Sequence, residues 1–191
     1  MSNNQSTNIR FLVEGALAIA IAFILSFIKI FELPQGGSIS LEMLPLVLIG
    51  LRNGPKWGGL SAFAFSILKL ILGFSNVMYC NTLIAQIGCI LLDYVLAYTA
   101  LGLADIVASR IKSKRIVGVI SGTIIVGILQ FICSFFSGWL LWGSYAWEGY
   151  SAPVYSLVYN GSYMLPNIII CTIIIAILFA SAPKLFRKGQ I

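Results

Sequence analysis

The chain of 191 residues contains no histidine. That absence excludes H-E-x-x-H zinc sites and Ser-His-Asp hydrolases, both of which need an imidazole. No G-x-x-x-x-G-K-[ST] phosphate loop is present either, so ATP hydrolysis by that route is not available to this chain alone. Six carboxylates in all leave little material for acid–base catalysis, and an enzyme is not expected. The four cysteines, Cys80, Cys89, Cys133 and Cys171, lie in or beside apolar segments without C-x-x-C spacing. They read as small hydrophobes, and no metal site or redox pair is suggested.

Charge is scarce as well. Only 9% of the residues are charged and 59% are hydrophobic, whereas a soluble domain averages about 25% charged. A soluble globular domain, a disordered chain and a coiled coil are all excluded by this balance. The remaining class is an all-α integral membrane protein. A spanning helix takes ~20 apolar residues and a short loop, so six or seven spans would use up the chain. The expectation is one membrane domain over 1–191, with a polar N-terminal tail at 1–10 and a basic C-terminal tail at 183–191. The net charge of +6 does not point to nucleic acid, because the cations sit between apolar segments without aromatic–basic alternation. The first apolar run, Phe11 to Ile30, exceeds a signal-peptide core of about 7–15 residues and has no A-x-A site after it. It reads as a retained helix.

Six spans can be drawn, at roughly 11–31, 39–51, 56–74, 82–108, 116–142 and 154–181. The second is short and carries Pro45, so a kinked or incomplete span is expected. Ten of the twelve basic residues then fall on one side: Arg10, Arg52, Lys56, Arg110, Lys112, Lys114, Arg115, Lys184, Arg187 and Lys188. The loops on the other side, 31–38, 75–81 and 143–153, hold no Lys or Arg. By the positive-inside rule both termini are cytoplasmic, in a multi-pass protein of the cell membrane. No convincing internal repeat is visible.

The polar chemistry gathers in the outer half. Glu32, Glu42 and Glu148 fall at or near the outer surface, while Asp93 lies inside the fourth span. An ionised group there costs ~2.5–3.5 kcal/mol by insertion scales, so it must face a partner or a cavity. Gln86 precedes it by seven residues, on the same face of a regular helix. Ser134, Gly138 and Trp142 follow one another at spacing four on the fifth span; Trp139 lies nearby. Tyr155, Tyr159 and Tyr163 do the same on the sixth, beside Asn160 and Asn167. Carboxylate, amides and aromatic faces at one depth suit a small, planar, cationic ligand through stacking and cation–π attraction. Plainer readings stand beside this one. Tyr and Trp collect at membrane interfaces in any case, Asp93 has Lys69 or a tyrosine hydroxyl as a candidate partner, and Asn160 can bond another helix. On the first span Ala16/Ala20 and Ala18/Ala22 form two small-xxx-small pairs, a surface for close helix approach from a partner or from the chain's own bundle.

Taken together, these residues resemble the thiamine-specific S-component of energy-coupling factor (ECF) vitamin importers. The resemblance covers nearly the whole chain. It rests on Leu33-Pro-Gln-Gly-Gly-Ser-Ile-Ser40, Leu51-Arg-Asn-Gly54, Asp93-Tyr94, Tyr145-Ala-Trp-Glu-Gly149 and Tyr155-Ser-Leu-Val-Tyr-Asn-Gly-Ser-Tyr-Met-Leu-Pro166. It implies a bundle of six transmembrane helices that binds thiamine from outside. Uptake would need a separate transmembrane coupling protein and two ATPase subunits; no cofactor is implied, thiamine being the transported ligand. The implied ligand contacts are Asp93, Tyr94, Ser134, Trp142, Tyr155, Asn160, Gly37 and Tyr163, with the loop from Gly36 to Ser40 closing the pocket. Ala16, Ala18, Ala20 and Ala22 stand where S-components dock on the coupling protein. The chain departs from the family in three places. Asp93 replaces the usual glutamate, Ser134 a common histidine, and Gly36-Gly37 a tryptophan found in some members. A related pyrimidine or pyridine vitamin or precursor therefore stays open as ligand, and a self-sufficient ion-coupled transporter or a purely structural membrane subunit as alternative roles.

Overall fold

In the computed structural model, residues 2–33, 36–80 and 82–186 are described. The order is helix α1 (Ser2–Phe27), strands β1 (Lys29–Glu32) and β2 (Ser38–Ser40), then helices α2 (Met43–Asn53), α3 (Pro55–Leu72) and α4 (Phe74–Met78). Helix α5 (Leu83–Cys89) runs into a π-helical stretch, Ile90–Leu96, and on into α6 (Ala97–Leu101). Then come α7 (Ala104–Ala108), α8 (Arg115–Leu140) and α9 (Ala152–Ser181), with single 3-10 turns at Gly143–Tyr145 and Pro183–Phe186.

Among the described residues, four helical segments are long and apolar enough to cross a membrane: Ser6–Phe27, Leu83–Leu101, Arg115–Leu140 and Ala152–Ser181. Their outward sides carry exposed Leu12, Leu17, Ile21, Leu91, Ile125 and Ile177. In water so continuous an apolar surface is unfavourable; against lipid it costs nothing. Helix α2, at 11 residues, is apolar but short. At 1.5 Å per residue it reaches ~16 Å, about half the hydrocarbon thickness.

The expected helix ends differ from the observed ones for local reasons. The polar stretch read as a tail is the first turns of α1. That helix stops at Phe27, four residues early, because the chain turns into an antiparallel hairpin pairing Lys29 with Ser40, Phe31 with Ile39 and Glu32 with Ser38. The protein is thus mostly helical and not strictly all-α. Pro45 causes no kink: it is the third residue of α2, where its missing N–H has no intrahelical acceptor to lose. The long fourth span breaks after Leu101 at Gly102, whose backbone lies against Gly58, while Gly58 also meets Gly50. A side chain at any of the three would collide with backbone of another helix, so the glycines set how closely α2, α3 and the end of α6 approach.

The main core is formed by Leu46 and Val47 of α2, Phe65 of α3, Leu101 of α6, Val126 of α8 and Ile175 of α9, all buried. Cys171 joins this core, and Cys80 and Cys89 pack with Val77 and Tyr94 in a smaller outer cluster. At the opposite end, Arg52 donates to both carboxylate oxygens of Glu14 at 2.9 Å, and Arg10 to Oε1 at 3.0 Å. Arg52 Nη1 also reaches the Leu185 carbonyl at 3.1 Å. This cluster ties α1, α2 and the C-terminal turn together. Arg187 and Lys188 of the basic tail, and Pro34 and Gln35 of the loop motif, lie outside the described residues.

Candidate functional site

A cavity of about 710 Å³ lies between the hairpin, α3, the π-helical stretch, α8 and α9. Ligand sites generally fall between about 300 and 1,000 Å³. Asp93, Tyr94, Ser134, Trp142, Tyr155 and Asn160 line it, as do Gly37 and Tyr163. All eight residues singled out as ligand contacts are thereby brought around one space, although they come from sequence positions 37 to 163.

Asp93 owes its position to the π-helical stretch. A π turn takes up an extra residue and changes the direction of the side chains that follow it, a feature found often at functional sites. Gln86, expected on the same helix face as Asp93, makes its hydrogen bond elsewhere. It donates to the Cys80 carbonyl at 3.1 Å and does not line the cavity. Asp93 Oδ2 accepts from Ser137 Oγ at 2.5 Å and from Cys89 Sγ and Trp142 Nε1 at 3.4 Å each. Among the described residues no basic side chain pairs with Asp93. Lys69, its candidate partner from the sequence, pairs with Glu42 at 2.9 Å. One carboxylate oxygen is thus held by the protein, and the negative charge is left without a cation beside it. Tyr94, the next residue, donates its hydroxyl to the Gly73 carbonyl at 2.9 Å and staples the π-helical stretch to the end of α3.

The α8–α9 side is held by amide chemistry. Asn160 is buried, and its Nδ2 donates to the carbonyls of Ser134 at 3.2 Å and Ser156 at 3.0 Å. Its Oδ1 accepts from the Tyr163 hydroxyl at 2.8 Å. Gly138 lets the two helices meet here, because a Cβ on it would sit 2.8 Å from Asn160 Nδ2. Asn160 therefore builds the wall and places Tyr163. The rings of Trp147, Tyr155, Tyr159 and Tyr163 form a chain with successive centroid distances of 5.1, 5.4 and 6.3 Å. Trp142 packs against Tyr145 at 5.6 Å on the other side of the opening. Trp139 does not line the cavity; it stacks on Phe136 and is exposed on the outer face of α8.

Two polar lining residues, Glu42 and Gln130, were not among the expected ligand contacts. Glu42 accepts from Lys69 through Oε2 and from the Tyr98 hydroxyl through Oε1, both at 2.9 Å. The available signal was Lys69 itself, a lone cation in an apolar helix, which must find a partner. Gln130, a polar amide in the middle of α8, also lines the cavity. Burial pushes the Cys80 thiol up from its ordinary range, so this loop cysteine stays protonated. Among the described residues no group of three or more His, Cys, Asp or Glu side chains is arranged to hold a metal.

The alanine pattern of α1 divides in two. Ala18 and Ala22 are buried in the bundle, Ala22 completely, so they pack against the chain's own helices and are not available for a partner to dock on. Ala16 and Ala20 remain exposed. The two pairs are offset by two residues, about 200° around a helix, so only one pair can face inward.

Residues 12–187 match the family model described as Thiamine transporter protein (Thia_YuaJ). The thiamine transporter ThiT of Bacillus subtilis (strain 168) is 35% identical over 197 residues, 98% of this chain and 99% of that protein. The thiamine transporter ThiT of Lacticaseibacillus paracasei is 27% identical over 184 residues, 92% of this chain and 89% of its own length. Among solved structures, ThiT from Listeria monocytogenes superposes with a TM-score of 0.75 at 29% identity, over 94% of this chain and 98% of that one. The S component of a bacterial ECF transporter does so at 0.55 and 23% identity, over 93% and 95%, a likeness of fold.

Proposed function

Because the chain belongs to the thiamine transporter protein family, we propose that it is the thiamine-binding S-component of an ECF-type importer. It is a transporter subunit, not an enzyme. It captures the vitamin from outside with high affinity and depends on a separate transmembrane coupling protein and two ATPases for uptake. The observation that carries this reading is Asp93: a carboxylate with no cation partner among the described residues, one oxygen held by Ser137, in a cavity lined by aromatic faces. Such a site complements a flat, positively charged ligand bearing an amino group. Trp142 and Tyr155 supply ring faces, Tyr94 and Asn160 hold the helices that carry them, and Ser134, Tyr163 and Gly37 complete the lining.

In this reading α1, α2, α3, the α5–α6 unit, α8 and α9 make six membrane crossings in a multi-pass protein of the cell membrane. Both termini are cytoplasmic. Support comes from the Lys and Arg count, ten of twelve on one side, with the cavity on the other. The exposed Ala16/Ala20 face of α1 is the place for the coupling protein. A related pyrimidine or pyridine vitamin is the competing ligand, on the strength of Asp93 and Ser134.

Titration of the detergent-solubilised protein with thiamine, followed by tryptophan fluorescence, tests this directly. Trp142 is the reporter that lines the cavity. Saturable quenching at nanomolar thiamine, absent with pyridoxine, is expected. No response to thiamine would overturn the ligand assignment. Uptake by vesicles containing this protein alone would overturn the S-component role.

A further inference from the structure

Among the described residues, five charged side chains line the cavity: Lys29, Glu32, Glu42, Lys69 and Asp93. Four of them cancel in pairs. Lys29 Nζ bonds Glu32 Oε1 at 2.5 Å, and Lys69 Nζ bonds Glu42 Oε2 at 2.9 Å. Asp93 is left over. With two cations against three carboxylates, the lining carries one net negative charge.

The two pairs are not equivalent. Lys29 and Glu32 lie on strand β1 with side chains 38% and 56% exposed, where water and salt screen them. Lys69 and Glu42 are only 21% and 15% exposed, and they join the last turn of α3 to the residue before α2. Both oxygens of Glu42 are engaged, because the Tyr98 hydroxyl donates to Oε1 at 2.9 Å. The Tyr98 ring is fixed edge-on to the buried Phe65 at 5.4 Å, and Lys69 Nζ lies 5.9 Å from its centre. Asp93, by contrast, takes its bonds from Ser137, Cys89 and Trp142 all on Oδ2. Packing thus holds one carboxylate of the cavity neutralised and the other charged.

We infer that Lys69 is a specificity-determining residue: by cancelling Glu42 it holds the net charge of the cavity lining at minus one, and so selects a ligand with a single positive charge. This deepens the thiamine reading and rests on it for the ligand. In a site of low dielectric constant, an uncompensated charge acts strongly on a charged ligand and hardly at all on a neutral one. Without the Lys69 charge the lining carries two negative charges, and the preference for a cation grows. Without the Glu42 charge it carries none, and Lys69 itself opposes a cation. Without both it returns to one. A pair that merely joined α3 to α2 would affect charged and neutral ligands alike.

The test compares thiamine with the uncharged hydroxymethyl form of its aminopyrimidine half. Affinities for both are measured by tryptophan fluorescence in the unaltered protein, Lys69→Met, Glu42→Gln and the double variant. The ratio of the two affinities is the readout. It is expected to rise about ten-fold in Lys69→Met and to fall about ten-fold in Glu42→Gln, the size of one charge acting across a cavity of this width. In the double variant it is expected to return to within about three-fold of the unaltered value. An unchanged ratio in both single variants would overturn the role of Lys69. So would a ratio in the double variant as low as in Glu42→Gln, which would make Glu42 a direct partner of the ligand's cation. If the unaltered protein binds neither compound, the thiamine reading fails instead. Pyridoxamine against pyridoxine, which also differ by one positive charge, then decides the role of Lys69 by the same ratio in the same proteins.

Discussion

Ser137 of α8 donates to Asp93 Oδ2 at 2.5 Å, across the contact between α8 and the π-helical stretch. This bond serves two purposes. It satisfies one oxygen of an intramembrane carboxylate, and it fixes the plane in which the other oxygen is offered to the cavity. Replacing Asp93 by Asn keeps the volume and removes the charge. A hydrogen bond to a charged group is worth about 1.5–3 kcal/mol, so Asp93→Asn is expected to weaken thiamine binding by roughly ten- to a hundred-fold. Ser137→Ala removes only the orienting donor and is expected to cost a few-fold. Fluorescence titration ranks the two; equal affinity of Asp93→Asn and the unaltered protein would remove Asp93 from the site.

The exposed and buried alanines of α1 separate docking from folding. Ala20 is exposed, so Ala20→Trp is expected to leave thiamine binding intact and to block uptake by the assembled importer. Ala22 is completely buried, and an indole there has no space; overpacking of this kind costs about 1–3 kcal/mol or more. Thermal unfolding in detergent should fall for Ala22→Trp only. Normal uptake with both Ala16→Trp and Ala20→Trp would show that this face meets no partner.

Glu14 and Arg52 are a buried ion pair, with side chains only 15% and 8% exposed. Taking away Arg52 leaves Glu14 with Arg10 as its remaining cation, so the cost is expected to stay below the ~3–5 kcal/mol of a fully broken buried pair. Arg52→Met is therefore expected to lower the unfolding temperature. The double variant Glu14→Gln/Arg52→Met is expected to recover part of the loss, because the Glu14–Arg52 pair is then replaced by two neutral groups and only the part-exposed Arg10 gives up its carboxylate. A double variant less stable than Arg52→Met would show that the bonds from Arg52 to the C-terminal carbonyls, not the ion pair, carry the stability.

Gly58 packs backbone to backbone against both Gly50 and Gly102. A methyl group here has only main chain to displace. Gly58→Ala is expected to cost about 1–3 kcal/mol by overpacking, although alanine is the better helix former. Gly161, where a Cβ meets nothing nearer than 4.0 Å, should accept alanine without loss. Calorimetry or thermofluor unfolding of the two variants checks the contrast.

Much of the fold could be read along the chain. Runs of apolar residues marked the helices α8 and α9 to within a few residues, since lipid demands a continuous apolar run of a minimum length, while α1 begins nine residues before its apolar run. The eight residues proposed as ligand contacts do share a cavity. What went unread was short and irregular. Strand β1 begins before the apolar run of α1 has ended, and the break after Leu101 falls at Gly102, which lies against Gly58 of another helix. Regular helix spacing put Gln86 on the face of Asp93, whereas a π-helical stretch intervenes.

The sequence by itself determined the environment and the family. Few charges, long apolar runs and one-sided Lys and Arg make a membrane protein of this chain, and its polar–aromatic blocks mark it as a thiamine transporter relative. These are properties of composition and order, which need no knowledge of what lies opposite. Only the tertiary structure decided the pairings: Lys69 with Glu42 and not with Asp93, Ala18 and Ala22 inward and Ala16 and Ala20 outward, Tyr159 on Gly36. Each depends on the rotation and depth of one helix against another. Those are set by backbone contacts at glycines and by a π turn, whose effects appear only when distant segments are packed together.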